Sequence, residues 1–577
     1  MSRCSRSTCA VALLCLLGCL QTRAAGTSLD ALGTVSFKTS CAAPVQADFD
    51  RAVALLHHMT YPQARAAFTA IIQHDPACAI ARWGIAMTLF QPLWPTRPGP
   101  EDLRLGWQTA QEGLALDASA REHAYLDAVA SFFRDPESGD YWHRIDAWTS
   151  AMASVHDAYP DDVEASAFYA LALLASARPG PAQQEHARSA VALLLSIRQH
   201  HPDHPGAMHY IIHANDIPGR EHENLDIVRR YEQVAPDNPH ALHMPTHIYV
   251  RLGDWDGVVR GNLRAAAAAL NYPAGEHGQW VWDEFAHAIE YLVYAYLQQG
   301  NDDEAKTQIA RLLATTNIEP SAKTAFHLAS TRARYALERR DWKQAAALVP
   351  REPPGIDWDR NPWPEAVTVF ASGYGAANTG GIDTSRSRLA RLDELERRAA
   401  TAGEDVFARQ IRMLQLELAA WIAHAADDDA KALSLMQQAV DLEGATPKPP
   451  VTPASTLPAA ELLGDLLLEL GRPRDALAAY RMSLQRYPRR FNSELGAARA
   501  QTALADSDAA AQTYCELLQI TESGTRARQL SDVQRFVAAQ RSAENPARPF
   551  RADEAGAARS EERRVGKECR SRWSPYH

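Results

Sequence analysis

The feature that most constrains the fold of this chain is a pattern of paired helices that recurs along its length. Apolar residues recur at helical spacing in segments such as FDRAVALLHHM (49–59), HAIEYLVYAYL (287–297) and AAELLGDLLLEL (459–470). No stretch shows the sustained alternation of apolar and polar residues that is typical of half-buried strands. The sequence therefore predicts an all-α protein.

The second helix of several pairs carries the same three residue types at offsets 0, 4 and 12: an aliphatic residue, an aromatic residue and a proline. This pattern resembles the tetratricopeptide repeat, a helix–turn–helix unit of about 34 residues. The resemblance implies a right-handed superhelical solenoid, because one repeat cannot bury its apolar face alone and must stack on the next. The first helix of each pair is expected to line the concave side. The positions that carry the pattern are Ala64, Phe68 and Pro76, then Ile227, Tyr231 and Pro239, then Ala476, Tyr480 and Pro488.

Two proline-rich segments interrupt the helical pattern and predict a division into two lobes. The first is VPREPPGIDWDRNPWPE (349–365), and the second is TPKPPVTPASTLP (446–458). We expect each segment to bend or interrupt the solenoid. The predicted order is an N-terminal extension at 26–40, an N-terminal lobe at 41–348 that carries a histidine-rich concave patch, a linker at 349–365 and a C-terminal lobe at 366–545.

Residues 1–25 have the pattern of a secretory signal peptide. Arg3 and Arg6 give a positive start, an apolar run follows at 9–20, and small residues precede the expected cleavage site. The run is too short for a membrane anchor, and LLGC (16–19) matches a lipoprotein box poorly, so cleavage is favoured over lipoprotein anchoring. We predict a periplasmic or secreted protein without a membrane span.

The C-terminal segment at 546–577 is expected to be a disordered tail. Its last part, RSEERRVGKECRSRWSPYH (559–577), resembles the translation of a sequencing adapter and is expected to be an artefact. The formal net charge of the chain is −11, and both end segments are basic, so the remainder is more acidic still. This charge argues against nucleic acid as a partner.

Cys41 and Cys78 remain once the end segments are set aside, together with Cys515. In an oxidising compartment a disulfide between Cys41 and Cys78 is the favoured prediction. Two buried free thiols are the alternative.

Four segments resemble a family of secreted bacterial tetratricopeptide-repeat proteins. They are DPACAIARWGIAM (75–87), HPGAMHYIIHAND (204–216), PHALHMPTHIYVRLGDW (239–255) and KPPVTPASTLPAAELLGDLLLELGRP (448–473). The resemblance implies the repeat fold and export. The family has no assigned activity, so the resemblance supplies no catalytic residues.

Histidines recur in pairs one repeat apart. His209 and His213 lie in HPGAMHYIIH, and His243 and His247 lie in NPHALHMPTH, at a spacing of 34 residues. Residues i and i+4 share one face of a helix, and stacked helices lie about 8–10 Å apart. The four imidazoles are therefore predicted to converge, unless Pro245 kinks the second helix.

The following first helix, at 283–300, is expected to add further polar groups to this patch. Aligning Gly300 with Gly253 pairs residues of this helix with histidines of the preceding one: His287 with His240, Glu290 with His243, and Tyr294 with His247. The predicted groove residues are His209, His213, Asn215, Asp216, His240, His243, His247, His287 and Tyr294.

Three interpretations of this patch remain open. A groove would bind a peptide, a protein segment or a small molecule, with the histidines spread along an open channel. A metal site would bring at least three imidazole nitrogens within about 4–5 Å of one point, for Zn, Cu, Fe or Ni. Packing alone would leave each histidine bonded to a neighbouring helix and shut from solvent. The predicted metal ligands are His209, His213, His243, His247, His287 and Glu290.

The favoured function is an exported repeat scaffold that binds a ligand or protein in its groove, without a predicted enzymatic activity. The alternative is a metal-binding protein or metalloenzyme. No HExxH motif, nucleophile elbow or phosphate-binding loop is present in the sequence. His57 and His58 are predicted to have a surface or packing role.

Overall fold

The computed structural model describes residues 31–544, apart from 95–96, 138–139, 179, 276, 450 and 522–523. The predicted signal peptide at 1–25 and the predicted tail at 546–577 lie outside the described residues. Within the described part, no helix combines the length and the apolar character needed to cross a bilayer.

The first half of the chain consists of helices joined by short connections, and consecutive helices pack against each other. A 3₁₀ turn at Ala43–Val45 precedes them. The helices are α1 Gln46–His57, α2 Tyr61–His74, α3 Ala79–Phe90, α4 Pro100–Leu114, α5 Ala120–Phe133, α6 Tyr141–Ala158, α7 Val163–Ser176, α8 Pro181–His200, α9 Pro205–Asn215, α10 Leu225–Val234, α11 Pro239–His243 and α12 Pro245–Leu252.

The second half continues in the same way, with one small interruption. Two short antiparallel strands, β1 Pro273–Ala274 and β2 Trp280–Val281, separate α13 from α14. A 3₁₀ turn at Trp358–Arg360 follows α17. The helices are α13 Trp255–Ala269, α14 Glu284–Gln298, α15 Asp302–Ala314, α16 Ala322–Glu338, α17 Trp342–Ala346, α18 Pro362–Ala377, α19 Ile382–Thr401, α20 Asp405–His424, α21 Asp429–Gly444, α22 Ala459–Glu469, α23 Pro473–Arg486, α24 Phe491–Ala503, α25 Ser507–Ile520 and α26 Ala527–Glu544.

The aromatic residue of the repeat pattern holds successive helices together. Phe68 of α2 lies so close to α3 that a Cβ on Gly84 would stand 2.4 Å from its ring. Tyr480 of α23 lies between α22 and α24 and approaches Gly464 and Gly496 in the same way. A side chain at these glycines would push the helices apart. The predicted fold class, an all-α helix–turn–helix solenoid, is confirmed.

The apolar core is continuous across the predicted linker at 349–365. Phe326 of α16 stacks on Trp363 of α18 with ring centroids 4.1 Å apart. Trp363 stacks in turn on Phe407 of α20 at 4.9 Å. A disulfide between Cys41 and Cys78 ties the segment before α1 to the start of α3.

The solenoid curls until parts that are distant in sequence meet. Helix α1 contacts α9, and α14 contacts α24. Arg97 donates a hydrogen bond to the carbonyl of Gly403 at 3.0 Å. Arg490 is buried and pairs with Glu338 and Glu461. These contacts enclose an interior that α9, α11, α12 and α14 line.

The proline-rich segment 446–458 enters this interior. Its residues Thr452, Ala454 and Leu457 are buried. The guanidinium of Arg334, on α16, donates to the carbonyl of Ser455 at 2.8 Å, to the hydroxyl of Thr452 at 2.8 Å and to the carbonyl of Ala454. The segment is therefore a fixed part of the molecule that reaches from the C-terminal repeats to the histidine-bearing helices.

Candidate metal centre

A row of imidazoles crosses α9, α11, α12, α14 and α16. The ring centroids of His209 and His240 are 5.0 Å apart, and those of His240 and His243 are 6.2 Å apart. The row continues from His243 to His287 at 4.2 Å and from His287 to His327 at 4.9 Å. The structure thus brings together histidines from five helices that line the curled interior.

Pro245 does not disturb the pair on the second repeat. The helix is divided at Met244, between α11 and α12, but this residue keeps helical dihedrals of φ −54° and ψ −40°. His243 and His247 therefore remain on one face, as the spacing predicted.

The first triad consists of His209, His213 and His240. One nitrogen from each of the three rings lies within 4.8 Å of the other two, and the Nε2 atoms of His209 and His213 are 3.1 Å apart. The Nδ1 of His209 donates to the carbonyl of His57 at 2.6 Å, and the Nδ1 of His240 lies 2.9 Å from Glu284. The Nε2 of His240 is buried and has no hydrogen-bond partner among the described residues.

The second triad consists of His243, His247 and His287. One nitrogen from each of these rings also lies within 4.8 Å of the other two. The Nε2 atoms of His243 and His247 are 2.9 Å apart. The Nδ1 of His243 donates to Oδ1 of Asn262 at 2.7 Å. The Nδ1 of His247 donates to the carboxylate of Asp216 at 2.9 Å.

The proton positions in the second triad follow from these acceptors. The amide of Asn262 donates to the carbonyl of Val258, so its Oδ1 must be the atom that accepts from His243. A carboxylate likewise accepts from His247. With both Nδ1 atoms protonated, neutral His243 and His247 turn two Nε2 lone pairs towards each other. This contact is unfavourable unless a cation lies between or beside them.

Burial favours the neutral form of four of these imidazoles. It lowers the pKa of His209, His243 and His287 well below the ordinary value, and it lowers the pKa of His213 to about 3. Neutral imidazole is the form that binds metal. In a tetrahedral zinc site with bonds of about 2.0–2.1 Å, ligand nitrogens stand about 3.3 Å apart. The observed Nε2 separations of 2.9 and 3.1 Å are close to that value.

Asp216 links the second triad to two cations. Burial alone would raise the pKa of this carboxyl, but Lys448 and Arg251 hold the pKa well below its usual range, with a contribution from His247. Both Nε and a terminal nitrogen of Arg251 bind Asp216. Asp216 therefore stays ionised and holds the proton of His247 on Nδ1. This is the carboxylate–histidine arrangement that orients ligands in metal sites.

The two triads differ in their access to solvent. His243, His247 and His287 are at most 3% exposed. His213 is half-buried, and it lines a cavity of about 560 Å³ together with Asp216, Arg251 and Lys448; we call this the His213 cavity. A second cavity, of about 350 Å³, lies towards His240 and is lined by Trp94, Trp282 and Lys323.

Some predicted residues lie away from the triads. The carboxylate of Glu290 is engaged by His327, Ser330 and Arg334. Tyr294 packs against Trp255 and Arg490. Asn215 donates to the carbonyl of Glu223 at 3.0 Å.

The third helix is shifted relative to the predicted alignment. His287 lies against His243 rather than His240, and Tyr291 occupies the place expected for Tyr294. The Tyr291 ring is 4.6 Å from that of His243 and 5.3 Å from that of His247. Tyr291 follows His247 by 44 residues, whereas aligning the glycine turns required 47. The turns are therefore a poor reference for how α14 packs against α11 and α12.

Several residues of the site were not predicted. Glu284, Asn262 and Tyr291 gave no motif, although Glu284 precedes His287 by one helical turn. His327 has no histidine four residues later, so no i, i+4 pair indicates it. Lys448 lies in the proline-rich segment, whose sequence indicates only a break, and burial lowers its pKa to about 8.

The histidines with a predicted surface or packing role are buried. His57 bonds Tyr210 at 2.9 Å and Glu164 at 2.6 Å. His58 bonds Tyr231 at 2.7 Å. His204, the N-cap of α9, bonds the other oxygen of Glu164 at 3.1 Å. These bonds use both nitrogens of His57 and both oxygens of Glu164 within the protein.

No family model matches the chain, and no curated protein matches it. Two solved structures align over most of its length at 12% sequence identity. One is the APC/C hetero-tetramer Cut9–Hcn1, with 85% of this chain and 90% of that chain covered and a TM-score of 0.30. The other is a monomeric mutant of IFIT1 with Gppp-AAAA, with 80% and 90% covered and a TM-score of 0.34. These TM-scores are too low to indicate a function, so the function rests on the geometry of the site.

Proposed function

We propose that this protein binds transition-metal ions in its two histidine triads. One observation carries the proposal: in each triad two Nε2 atoms face each other, His209 with His213 and His243 with His247, while oxygen acceptors hold Nδ1 protons of neighbouring rings. The other nitrogen of a metal-bound histidine is typically held by a carboxylate, an amide or a backbone carbonyl in this way.

The ligand set indicates the class of metal. Three neutral imidazoles suit Zn²⁺, Cu²⁺, Fe²⁺ or Ni²⁺. Three protein ligands leave a fourth position in a tetrahedral site, which is the arrangement of catalytic rather than structural zinc. His213 of the first triad lines the His213 cavity, so an outside molecule would reach a metal held there from that side. Hydrolytic or redox chemistry belongs there, whereas the enclosed second triad is suited to retaining its ion.

The other two interpretations of the patch fit the side chains less well. A peptide groove requires exposed histidines, but His209 and His243 are fully buried. Packing alone accounts for the Nδ1 bonds but not for the facing Nε2 lone pairs or the unpartnered Nε2 of His240. A role as an interaction scaffold stays a prediction.

The Cys41–Cys78 disulfide supports the proposal that the protein works in an oxidising compartment. The predicted signal peptide points to the same place.

Elemental analysis by inductively coupled plasma mass spectrometry tests the proposal. The full chain is exported without a His tag, so that its leader can be removed, and is purified without chelators. We expect close to two metal ions per chain in the wild type and none in His209→Ala/His243→Ala. The control is His74→Ala/His200→Ala, which removes two exposed histidines. Helicity by circular dichroism confirms that each variant is folded. A wild-type protein that takes up no Zn²⁺, Cu²⁺, Fe²⁺ or Ni²⁺ would overturn the proposal.

A further inference from the structure

We propose that the His213 cavity binds a small organic anion, a carboxylate on a planar apolar body, with Lys448 as its charge partner. The inference rests on the proposed function in one respect: a ligand in this cavity would lie next to His213, a member of the first triad. The shape and the charge of the cavity support the anion site independently of any metal.

The size of the cavity suits such a ligand. Its volume is about 560 Å³, within the range of about 300–1,000 Å³ that is typical of small-molecule sites. His213 and Asp216 line it from the end of α9, Arg251 from α12, and Lys448 from the proline-rich segment. Its wall is thus built from several distant parts of the chain that the curled solenoid brings together.

The charges that line the cavity do not balance. Four cationic residues line it, namely Arg97, Arg251, Lys448 and Arg486, whereas Asp216 is the sole acidic residue among the described lining residues. Arg251 binds the Asp216 carboxylate directly and neutralises it. An excess of positive charge along the wall of a cleft favours an anionic occupant.

Lys448 is the cation best placed to bind that anion. Its Nζ donates to the carbonyl of Thr452 at 2.8 Å and lies 3.9 Å from Oδ2 of Asp216, beyond hydrogen-bond distance. An ammonium carries three protons, so one bond to Thr452 leaves protons for a ligand. Burying this charge with a single hydrogen-bond acceptor would be costly.

The remaining wall is aromatic. Trp94, Tyr141 and Trp142 line the cavity, and the guanidinium of Arg97 lies 4.7 Å from the centre of the Tyr141 ring. Flat aromatic surfaces favour a planar ligand body through stacking. The ammonium of Lys448 and the aromatic wall together fit an aromatic carboxylate better than a bare inorganic ion.

Isothermal titration calorimetry on the metal-loaded full chain tests the inference with benzoate, its neutral analogue benzamide, and inorganic phosphate as probes. We expect benzoate to bind at least ten times more tightly than benzamide and more tightly than phosphate. Lys448→Met should weaken benzoate binding at least tenfold, and Lys448→Arg should retain most of it. Lys431→Met removes an exposed lysine of α21 and should change nothing.

The outcomes separate this inference from the proposed function. Metal uptake without benzoate binding, or equal binding of benzoate and benzamide, overturns the anion site and leaves the metal centre in place. Benzoate binding that depends on Lys448 in a chain that takes up no metal supports the anion site and overturns the metal centre. Phosphate binding as tight as benzoate binding overturns the planar body. If Lys448→Met fails to fold, tight benzoate binding by Lys448→Arg supports the inference, and its loss there overturns it.

Discussion

The first and second triads are built from the same repeated histidine pair, yet their surroundings differ. His213 of the first pair lines the His213 cavity, whereas the pair His243/His247 is covered by Tyr291 of α14. The first pair is held by a backbone carbonyl and gains its third member from α11. The second is held by Asn262 and Asp216 and gains its third member from α14. The repeat thus supplies the same histidine pair to both triads, and the neighbouring helices determine how far solvent reaches each triad.

The sharpest way to break this comparison is to remove one ligand from each triad. His213→Ala should remove the ion of the first triad alone, and His287→Ala the ion of the second alone. Each loss should exceed the roughly 10–100-fold effect of altering an outer partner. The metal-to-protein ratio by mass spectrometry should fall from two to one in each variant. Loss of both ions in either variant would show one shared site instead.

Altering the outer partners should give a smaller and reciprocal effect. Glu284 holds His240 of the first triad, and Asp216 holds His247 of the second. Glu284→Gln should weaken the first site and Asp216→Asn the second, each by about 10–100-fold. Competition titrations with a chromogenic chelator measure both affinities. Identical effects of the two substitutions on both sites would contradict the assignment of the triads.

The difference in access should appear in the rate of metal loss. An ion in the first triad exchanges through the cavity, whereas an ion in the second requires a local opening of the structure. We expect two kinetic phases after addition of excess chelator, with the first faster by on the order of tenfold. His213→Ala should eliminate the fast phase. A single phase in the wild type would mean that the two sites do not differ in access.

Acid should destabilise the metal-free protein through the histidines of both triads. Burial lowers the pKa of His209, His243 and His287 below the ordinary value of 6.5, so below that pH the unfolded chain binds more protons than the folded chain. The free energy of unfolding should be constant above about pH 6.5 and fall as the pH is lowered towards 4. Urea denaturation at a series of pH values measures this. His243→Asn should reduce the slope, and an unchanged slope would contradict the prediction.

Tyr291→Phe should have the smallest effect. The hydroxyl of Tyr291 lies 3.4 Å from Nε2 of His247, a long and weak hydrogen bond. Its loss should lower the free energy of unfolding by about 1 kcal/mol or less, and metal affinity should change less than about threefold. A large fall in affinity for the second site alone would show that Tyr291 is itself a ligand.

The fold was predictable because each signal was local. Helical periodicity, the aliphatic–aromatic–proline pattern and the i, i+4 histidines depend on residues within one or two repeats. His209, His213, His243 and His247 were correctly brought together for this reason. The spacing of 34 residues and the helical face together determine their approach.

The rest of the site depends on contacts between distant segments. Aligning the turns misplaced Glu290 and Tyr294, because α14 packs against α11 and α12 at a different spacing from that of the turns. Lys448 could not be placed, because its loop takes its conformation from Arg334 on another helix. A proline-rich sequence predicts where a helix stops but not where the loop goes.

The docking of segment 446–458 has a consequence for how the protein is made. A chain emerging from the ribosome folds from its N-terminal end, so the six imidazoles are synthesised long before the segment that brings Lys448 to Asp216. A nascent chain therefore carries every metal ligand without the finished surroundings. The His213 cavity acquires its final wall only when the last repeats close the curl. If the triads bind metal as proposed, the metals available in the compartment where folding is completed decide which ion they take up.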